Sequence, residues 1–441
     1  MHWKARKSAL ASSAPPLHRR PNKLSSGSSL KICLASNNIL SSIRNTSTQN
    51  YRALMAPQYA DFTREEFDQR YAKTRALMAE KNLDAMLITE RLNYQYYTGH
   101  RSEQCAVDKI RSYMFILPKD GDPTLITMPF EVAQVEQTSF ITDIRTTGGL
   151  MGHPEFIIGV LKDLGLSKAK IGCELGREQY LGISYLGLQE VMKGLPEADF
   201  VDAADIILKV RNVKSPQEIE YLRRASIISA EAQKKTFQEV RAGMTENEVA
   251  QILRQNLIAN GAEKISLLCV LSGANDKGIV LLPTDRVIQK GETLGFDVGV
   301  SYKGYWSDLA RTASVGKPSD ALSEFYTWMM TLRHDCNMQL TAGKTPAHVI
   351  EVVDKYLAER GLKTMGVGRV GHGVGVETTE YPSLAAFEDI QFEVGNVFAC
   401  NPNFSNELGF INAEDNWAVT TGEPDLLSAP VADWEIPVIE A

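Results

Sequence analysis

A repeat inside the second half of the chain constrains its fold more than any other feature. Ala242-Gly-Met-Thr-Glu-Asn-Glu-Val249 returns as Ala342-Gly-Lys-Thr-Pro-Ala-His-Val349. Each copy sets a threonine, Thr245 or Thr345, where it can cap an amphipathic helix, and each helix ends near a glycine, Gly261 or Gly361. A strand region punctuated by glycine follows each one. Two helices with the same start, length and sequel predict a pseudo-symmetric αβ duplication with a site between its halves.

Ahead of the repeat the pattern is α/β. Thr63 and Glu66 form a capping box, after which Phe67, Tyr71 and Met78 share one helical face. Short apolar runs at 84–89, 113–117, 124–127, 170–174 and 200–202 read as strands with helical stretches between several of them. These features predict an α/β domain over residues 59–208. Lys214-Ser-Pro-Gln-Glu218 marks the boundary: Ser215 can cap, Pro216 suits the first helical position, and Glu218 closes the box. The duplicated domain is expected over 209–430, with a C-terminal tail at 431–441. Two domains also suit the length of 441 residues.

Residues 1–58 differ in kind. No Asp or Glu precedes Asp61, whereas Lys4, Arg6, Lys7, Arg19, Arg20, Lys23, Lys31, Arg44 and Arg52 are all basic, among many serines. That composition suits a mitochondrial transit peptide. The other reading starts translation at Met55 and leaves the extension unfolded. The expected location is therefore cytoplasmic or mitochondrial. A net charge of −7 offers no excess of Lys and Arg for nucleic acid or a membrane surface, and no apolar run is long enough to span a bilayer. Six cysteines, at 33, 105, 173, 269, 336 and 400, show no zinc-type spacing and read as reduced thiols.

Four short segments of the duplicated domain put polar residues into strand-like surroundings. Residues 294–311 read as a hairpin turning at Tyr302–Gly304, with Asp297 on one strand and Asp308 on the other. Aspartate is depleted in strands. Two carboxylates about 4 Å apart repel by roughly 4 kcal/mol at an effective dielectric near 20, which a divalent cation relieves. Gly371-His372-Gly-Val-Gly375 follows, and then an apolar strand ending at Asn401. Last comes Phe410-Ile-Asn-Ala-Glu414-Asp415. Carboxylates with one imidazole suit manganese, iron, cobalt or zinc in a working site and not a structural zinc.

The hairpin, the Gly-His-Gly-Val-Gly run, the closing Glu-Asp pair and Pro283-Thr-Asp-Arg286 together resemble the family of creatinase, aminopeptidase P, prolidase and methionine aminopeptidase. The resemblance runs from about residue 60 to 425. It implies an N-terminal creatinase/prolidase-like α/β domain followed by a pita-bread domain, an α/β (α+β) architecture that excludes the single-domain methionine aminopeptidase pattern. In the family, Asp, Asp, His, Glu and Glu hold two divalent metals. Four of these map onto Asp297, Asp308, His372 and Glu414. The remaining glutamate position is Asn401, which cannot accept a proton. A substrate-facing histidine position falls near the apolar Val280, and another at Thr379. The altered site is expected to hold one ion or, as in creatinase, none. His372 and Glu380 are the catalytic candidates, with Asp415 as an alternative to Glu380. Either carboxylate can instead be a supporting or solvated group.

The resemblance further implies a homodimer, with Tyr94, Tyr96 and Tyr97 as candidate contacts to the partner's pocket. The leading expectation is a hydrolase that cleaves a C–N bond in a small amino-acid-like or dipeptide substrate. A lyase of the dimethylsulfoniopropionate-cleaving type and a non-catalytic binding protein are the alternatives.

Overall fold

In a computed structural model of the protein, the described residues are 56–107, 111–148, 153–273, 282–363, 368–429 and 432–440. The N-terminal extension and Val280 lie outside them. Among the described residues no helix is long and apolar enough to cross a membrane.

The first domain is one sheet of six strands: β1 (Ala85–Ile88), β2 (Met114–Pro118), β3 (Thr124–Thr127), β4 (Asp143–Thr146), β5 (Lys170–Cys173) and β6 (Asp199–Asp202), in the order β4-β3-β2-β1-β5-β6. Every residue of β1 is buried, because helices cover both faces of the sheet. Met86 and Ile88 face a core built with Phe67, Tyr71 and Ile207, whereas Ala85 and Leu87 face Ile157, Leu161 and Val191. The period of two along the strand thus feeds two separate cores. Thr63 caps the helix Arg64–Glu80 as its sequence predicts, accepting from the backbone of Glu66.

The helix Ala204–Asn212 runs past residue 208 and ends just before the Lys214–Glu218 segment. The next helix, Pro216–Glu239, opens with the predicted capping box between Ser215 and Glu218. It packs on the antiparallel strands β7 (Lys264–Ser272), β8 (Thr293–Tyr302) and β9 (Tyr305–Val315). The repeat is real in three dimensions. Its helices are Glu246–Ala259 and Pro346–Arg360, and both carry capping boxes. In the second copy, the His348 ring replaces the Glu248 carboxylate, and its Nδ1 accepts from Thr345 N at 3.2 Å.

The second half supplies a five-stranded sheet, together with a separate hairpin. Its strands in chain order are β10 (Gly371–Gly373), β11 (Glu380–Ser383), β12 (Val397–Cys400), β13 (Phe404–Asn406), β14 (Gly409–Ile411), β15 (Asn416–Ala418) and β16 (Asp425–Leu426). The sheet order is β11-β10-β12-β15-β16, and β13 pairs only with β14. A backbone bridge between Ala310 and Glu414 joins this half to the first. The C-terminal segment is no free tail: β17 (Val438–Ile439) pairs in parallel with Ser314 and Val315 of β9.

The two domains meet at a buried ionic hub. Arg70 is 3% exposed and is sandwiched between the rings of Phe62 and Tyr96. Its Nη2 lies 3.5 Å from Glu218 Oε1, and Tyr305 donates to that same oxygen at 2.6 Å. Glu218 therefore caps a helix and also neutralises a cation from the other domain. Replacing Glu218 with Ala removes the helix cap, the acceptor of Tyr305 and one of the two carboxylates beside Arg70, Glu66 remaining at 3.2 Å, which is expected to cost about 3 kcal/mol of stability in all. Urea unfolding reads this directly, and a loss below ~1 kcal/mol would show that the hub carries little of the stability.

Candidate metal centre

β8 and β9 pair so that Asp297 stands opposite Ala310 and Gly299 opposite Asp308. The two aspartates are thus diagonal neighbours on one face of the hairpin. Their carboxyl groups are close enough to share a hydrogen bond. Asn416 fixes the backbone of Asp308 from the neighbouring sheet: its Nδ2 donates to Asp308 O at 2.9 Å, and its Oδ1 accepts from Asp308 N at 3.1 Å. Glu414 is placed by the two-way backbone bridge with Ala310.

His372 enters from β10. Its Nδ1 lies 3.0 Å from Gly373 O, an acceptor only, so Nδ1 carries the proton and Nε2 presents a lone pair. That Nε2 is 3.5 Å from Asp308 Oδ2 and 3.9 Å from Glu414 Oε1. Asp308, His372 and Glu414 form a trio whose ligand atoms lie within 4.8 Å of one another. Asp297 lies alongside Asp308, outside that trio. The hairpin tip is tied to the glycine run by Trp306 N, which donates to Gly375 O at 2.7 Å. Gly371 and Gly373 fall where a Cβ would strike the carbonyls of Ala399 and Tyr381, so the close strand packing around His372 needs glycine at both positions.

Burial pushes the carboxyl of Asp297 up to about 7. Burial and then the Asp297 charge push Asp308 well above its usual range. Burial, Asp308 and Asp297 do the same to Glu414. Burial lowers the His372 imidazole to about 4, so it is neutral near pH 7. Asp297 Oδ1, Asp308 Oδ1 and both carboxylate oxygens of Glu414 are buried without a hydrogen-bond partner. Orphaned carboxylate oxygens converging on an imidazole lone pair fit a divalent cation, which supplies the missing partner and lets the acids ionise. Asn401, at the end of β12, faces Glu414, and its amide favours that carboxylate's charged form.

The other candidates stand elsewhere. Glu380 is pinned by Arg211 Nη2 at 2.5 Å and Lys214 Nζ at 2.7 Å. Burial opposes its charge, but these two cations hold its carboxyl below the usual range. Asp415 is held in the same way by Arg311, Arg333 and Ser428. Carboxylates kept this firmly ionised are poor proton carriers, so both act as anchors. Thr379 is exposed and borders two cavities, of 400 and 420 Å³. Tyr94 borders the first of these, but it is 1% exposed, and its hydroxyl meets His100 Nδ1 at 2.9 Å. Tyr96 and Tyr97 are buried too, Tyr97 stacked on Phe115, because this helix packs its aromatic face inward. None of the three offers an aromatic face to a partner. The residues missed in the sequence are Asn416, Arg211 and Lys214; an asparagine at the start of a strand, where Asn is disfavoured, was the available signal for the first.

Fold and site together define a two-domain protein with an acid-rich, single-imidazole pocket in its pseudo-symmetric domain that could hold a metal. Residues 220–421 match metallopeptidase family M24, and residues 70–213 match the creatinase/prolidase N-terminal domain. An uncharacterized peptidase of Staphylococcus aureus is 26% identical over 347 residues, 78% of this chain and 94% of its own length. Among solved structures, the Xaa-Pro dipeptidase from Bacillus anthracis superimposes with a TM-score of 0.74 at 24% identity, covering 84% of this chain and 99% of its own. Prolidase from Pyrococcus horikoshii gives 0.70 at 22% identity, covering 83% and 99%. These two likenesses concern the fold. The chain belongs to metallopeptidase family M24, and so to the hydrolases.

Replacing Glu380 with Gln should leave Lys214 buried without counter-charge, Arg211 keeping only Glu377 at 2.8 Å, at a cost of about 3 kcal/mol, while metal content stays as in wild type. Lost metal at unchanged stability would contradict the anchoring role. A second expectation concerns pH. Folding without metal raises Asp297 from 3.8 to about 7. Between those values the metal-free fold binds more protons than the unfolded chain, so its stability falls as pH rises through this window, and Asp308 and Glu414 add in the same direction. Calorimetry of metal-stripped protein should show Tm falling from about pH 5 to about pH 8, with manganese raising it most at the higher pH. A Tm that climbs over that range would contradict the assignment of these acids.

Proposed function

We propose that the chain is a metal-dependent hydrolase of the Xaa-Pro peptidase or creatinase type, which cleaves a C–N bond in a small amino-acid-like or dipeptide substrate. The observation that carries the reading is the convergence of Asp308, His372 and Glu414, with orphaned carboxylate oxygens, at the centre of an M24 domain. These three would hold one divalent ion of manganese, iron, cobalt or zinc, with Asp297 beside them as a fourth ligand. Such an ion polarises a carbonyl and lowers the pKa of bound water.

The chain's own groups divide the remaining work. His372 offers a neutral Nε2, its tautomer set by Gly373 O. Glu414, buried beside the Asn401 amide, is the carboxylate that would take a proton from the attacking water. Asn401 contributes an amide in place of an acid. Thr379, which borders both cavities, remains the substrate-pocket candidate, although neither cavity is lined by the trio itself. The family resemblance also supports a homodimer, whose mass sedimentation at micromolar concentration reads directly; a monomer there would sink that part of the reading.

The test is hydrolysis of Xaa-Pro dipeptides and N-substituted amino acids by the manganese-loaded protein. Wild type is expected to release amine from a member of that set, and His372→Ala to release none. Asn401→Glu adds a carboxylate, so it should bind a second ion more tightly and lose the native turnover. Equal metal stoichiometry in wild type and Asn401→Glu would refute the charge argument, and a metal-loaded wild type inert towards every substrate would refute the hydrolase reading.

A further inference from the structure

Arg369 lies three positions ahead of His372. β10 and β11 pair so that His372 stands opposite Ser383, and opposite residues of antiparallel strands share a face. Arg369 Nη1 lies 3.3 Å from Ser383 Oγ. The guanidinium is therefore held next to the His372 ring, on the side of the metal trio. Its tether is a long contact to a neutral hydroxyl, and among the described residues no carboxylate forms an ion pair with it.

Its neighbours show what is unusual here. Arg369 borders the 420 Å³ cavity together with Arg211, Glu377, Thr379 and Glu380. Arg211 is matched there by Glu377 and Glu380, and Lys214 by Glu380. Arg369 has no such match, and its contact with Ser383 sets it instead beside the strand of His372. A half-buried cation, without an ion-pair carboxylate of its own among the described residues, thus stands beside the residue opposite His372.

The charges of that pocket can be summed. Asp297, Asp308 and Glu414 carry three negative charges when ionised, and neutral His372 carries none. One divalent ion leaves one negative charge buried, and a guanidinium cancels it. We propose that Arg369 is the resident counter-charge of the metal pocket, neutralising it together with a single divalent ion and opposing entry of a second. Asn401 acts in the same direction by withholding a carboxylate. The inference rests on the reading that this pocket holds a divalent cation, but it does not depend on which bond is cleaved.

The test is calorimetric titration of the metal-stripped full chain with manganese chloride. Removing the positive charge while keeping the length, in Arg369→Met, should tighten manganese binding about tenfold. Arg369→Lys keeps the charge and should stay within about twofold of wild type. Arg369→Gln is the second uncharged variant and should behave like Arg369→Met should that protein fold poorly. The double variant Arg369→Met/Asn401→Glu should take up two ions where wild type takes one. Uncharged variants that bind manganese as wild type does, or a lysine variant that shifts as far as they do, would overturn the proposal, as would a wild type that takes up no manganese. A wild type that takes up manganese but hydrolyses nothing sinks the hydrolase reading alone, because the titration needs no turnover.

Discussion

Mutual repulsion among three buried carboxyl groups, Asp297, Asp308 and Glu414, is the force that the duplicated domain is built to contain. Left to themselves these side chains would separate or protonate. Each is instead held by backbone. Two sit on paired strands in fixed register, and the third is bound by the bridge to Ala310. The Asn416 side chain, itself accepting from Ser226 on the long helix, clamps Asp308 from behind. None of these supports titrates, so the acids keep their places whatever their charge. The proposed cation would then enter a prepared site and relieve the strain of gathering these acids.

Around this centre the domain spends its other buried charges on anchoring. Asp415, directly after Glu414, is fixed by Arg311 and Arg333, and Arg311 also donates to Glu414 O at 2.6 Å. Glu380 ties the strand after the glycine run to Arg211 and Lys214 at the domain boundary, and Arg211 also reaches Asn93 of the first domain at 2.9 Å. Neighbouring carboxylates in the sequence therefore have opposite fates. Those matched by cations are structural. Those without such partners form the proposed chemical site.

That division explains what the sequence could and could not reveal. The repeat, its two caps and the boundary box were legible because each signal lies within a few consecutive residues. The order of Asp297, Asp308, His372 and Glu414 was legible because acids are conspicuous in strands. The roles of Glu380 and Asp415 were not, because their partners lie far away in the chain: Arg211 and Lys214 are 169 and 166 residues from Glu380, and Arg311 and Arg333 are 104 and 82 from Asp415. Tyr94, Tyr96 and Tyr97 misled for a related reason. A run of tyrosines is amphipathic, and only the tertiary packing settles which face it shows. The two-residue strand β17 was too short to carry any periodicity at all.

That last strand matters for the edge it covers. β17 pairs with the end of β9, the strand that bears Asp308, on the side opposite β8. Without residues 438 and 439 in place, that stretch of β9 would be an open edge with unpaired backbone groups, the kind of surface that invites pairing with another chain. Two residues from far along the chain thus guard an edge of the strand that bears Asp308.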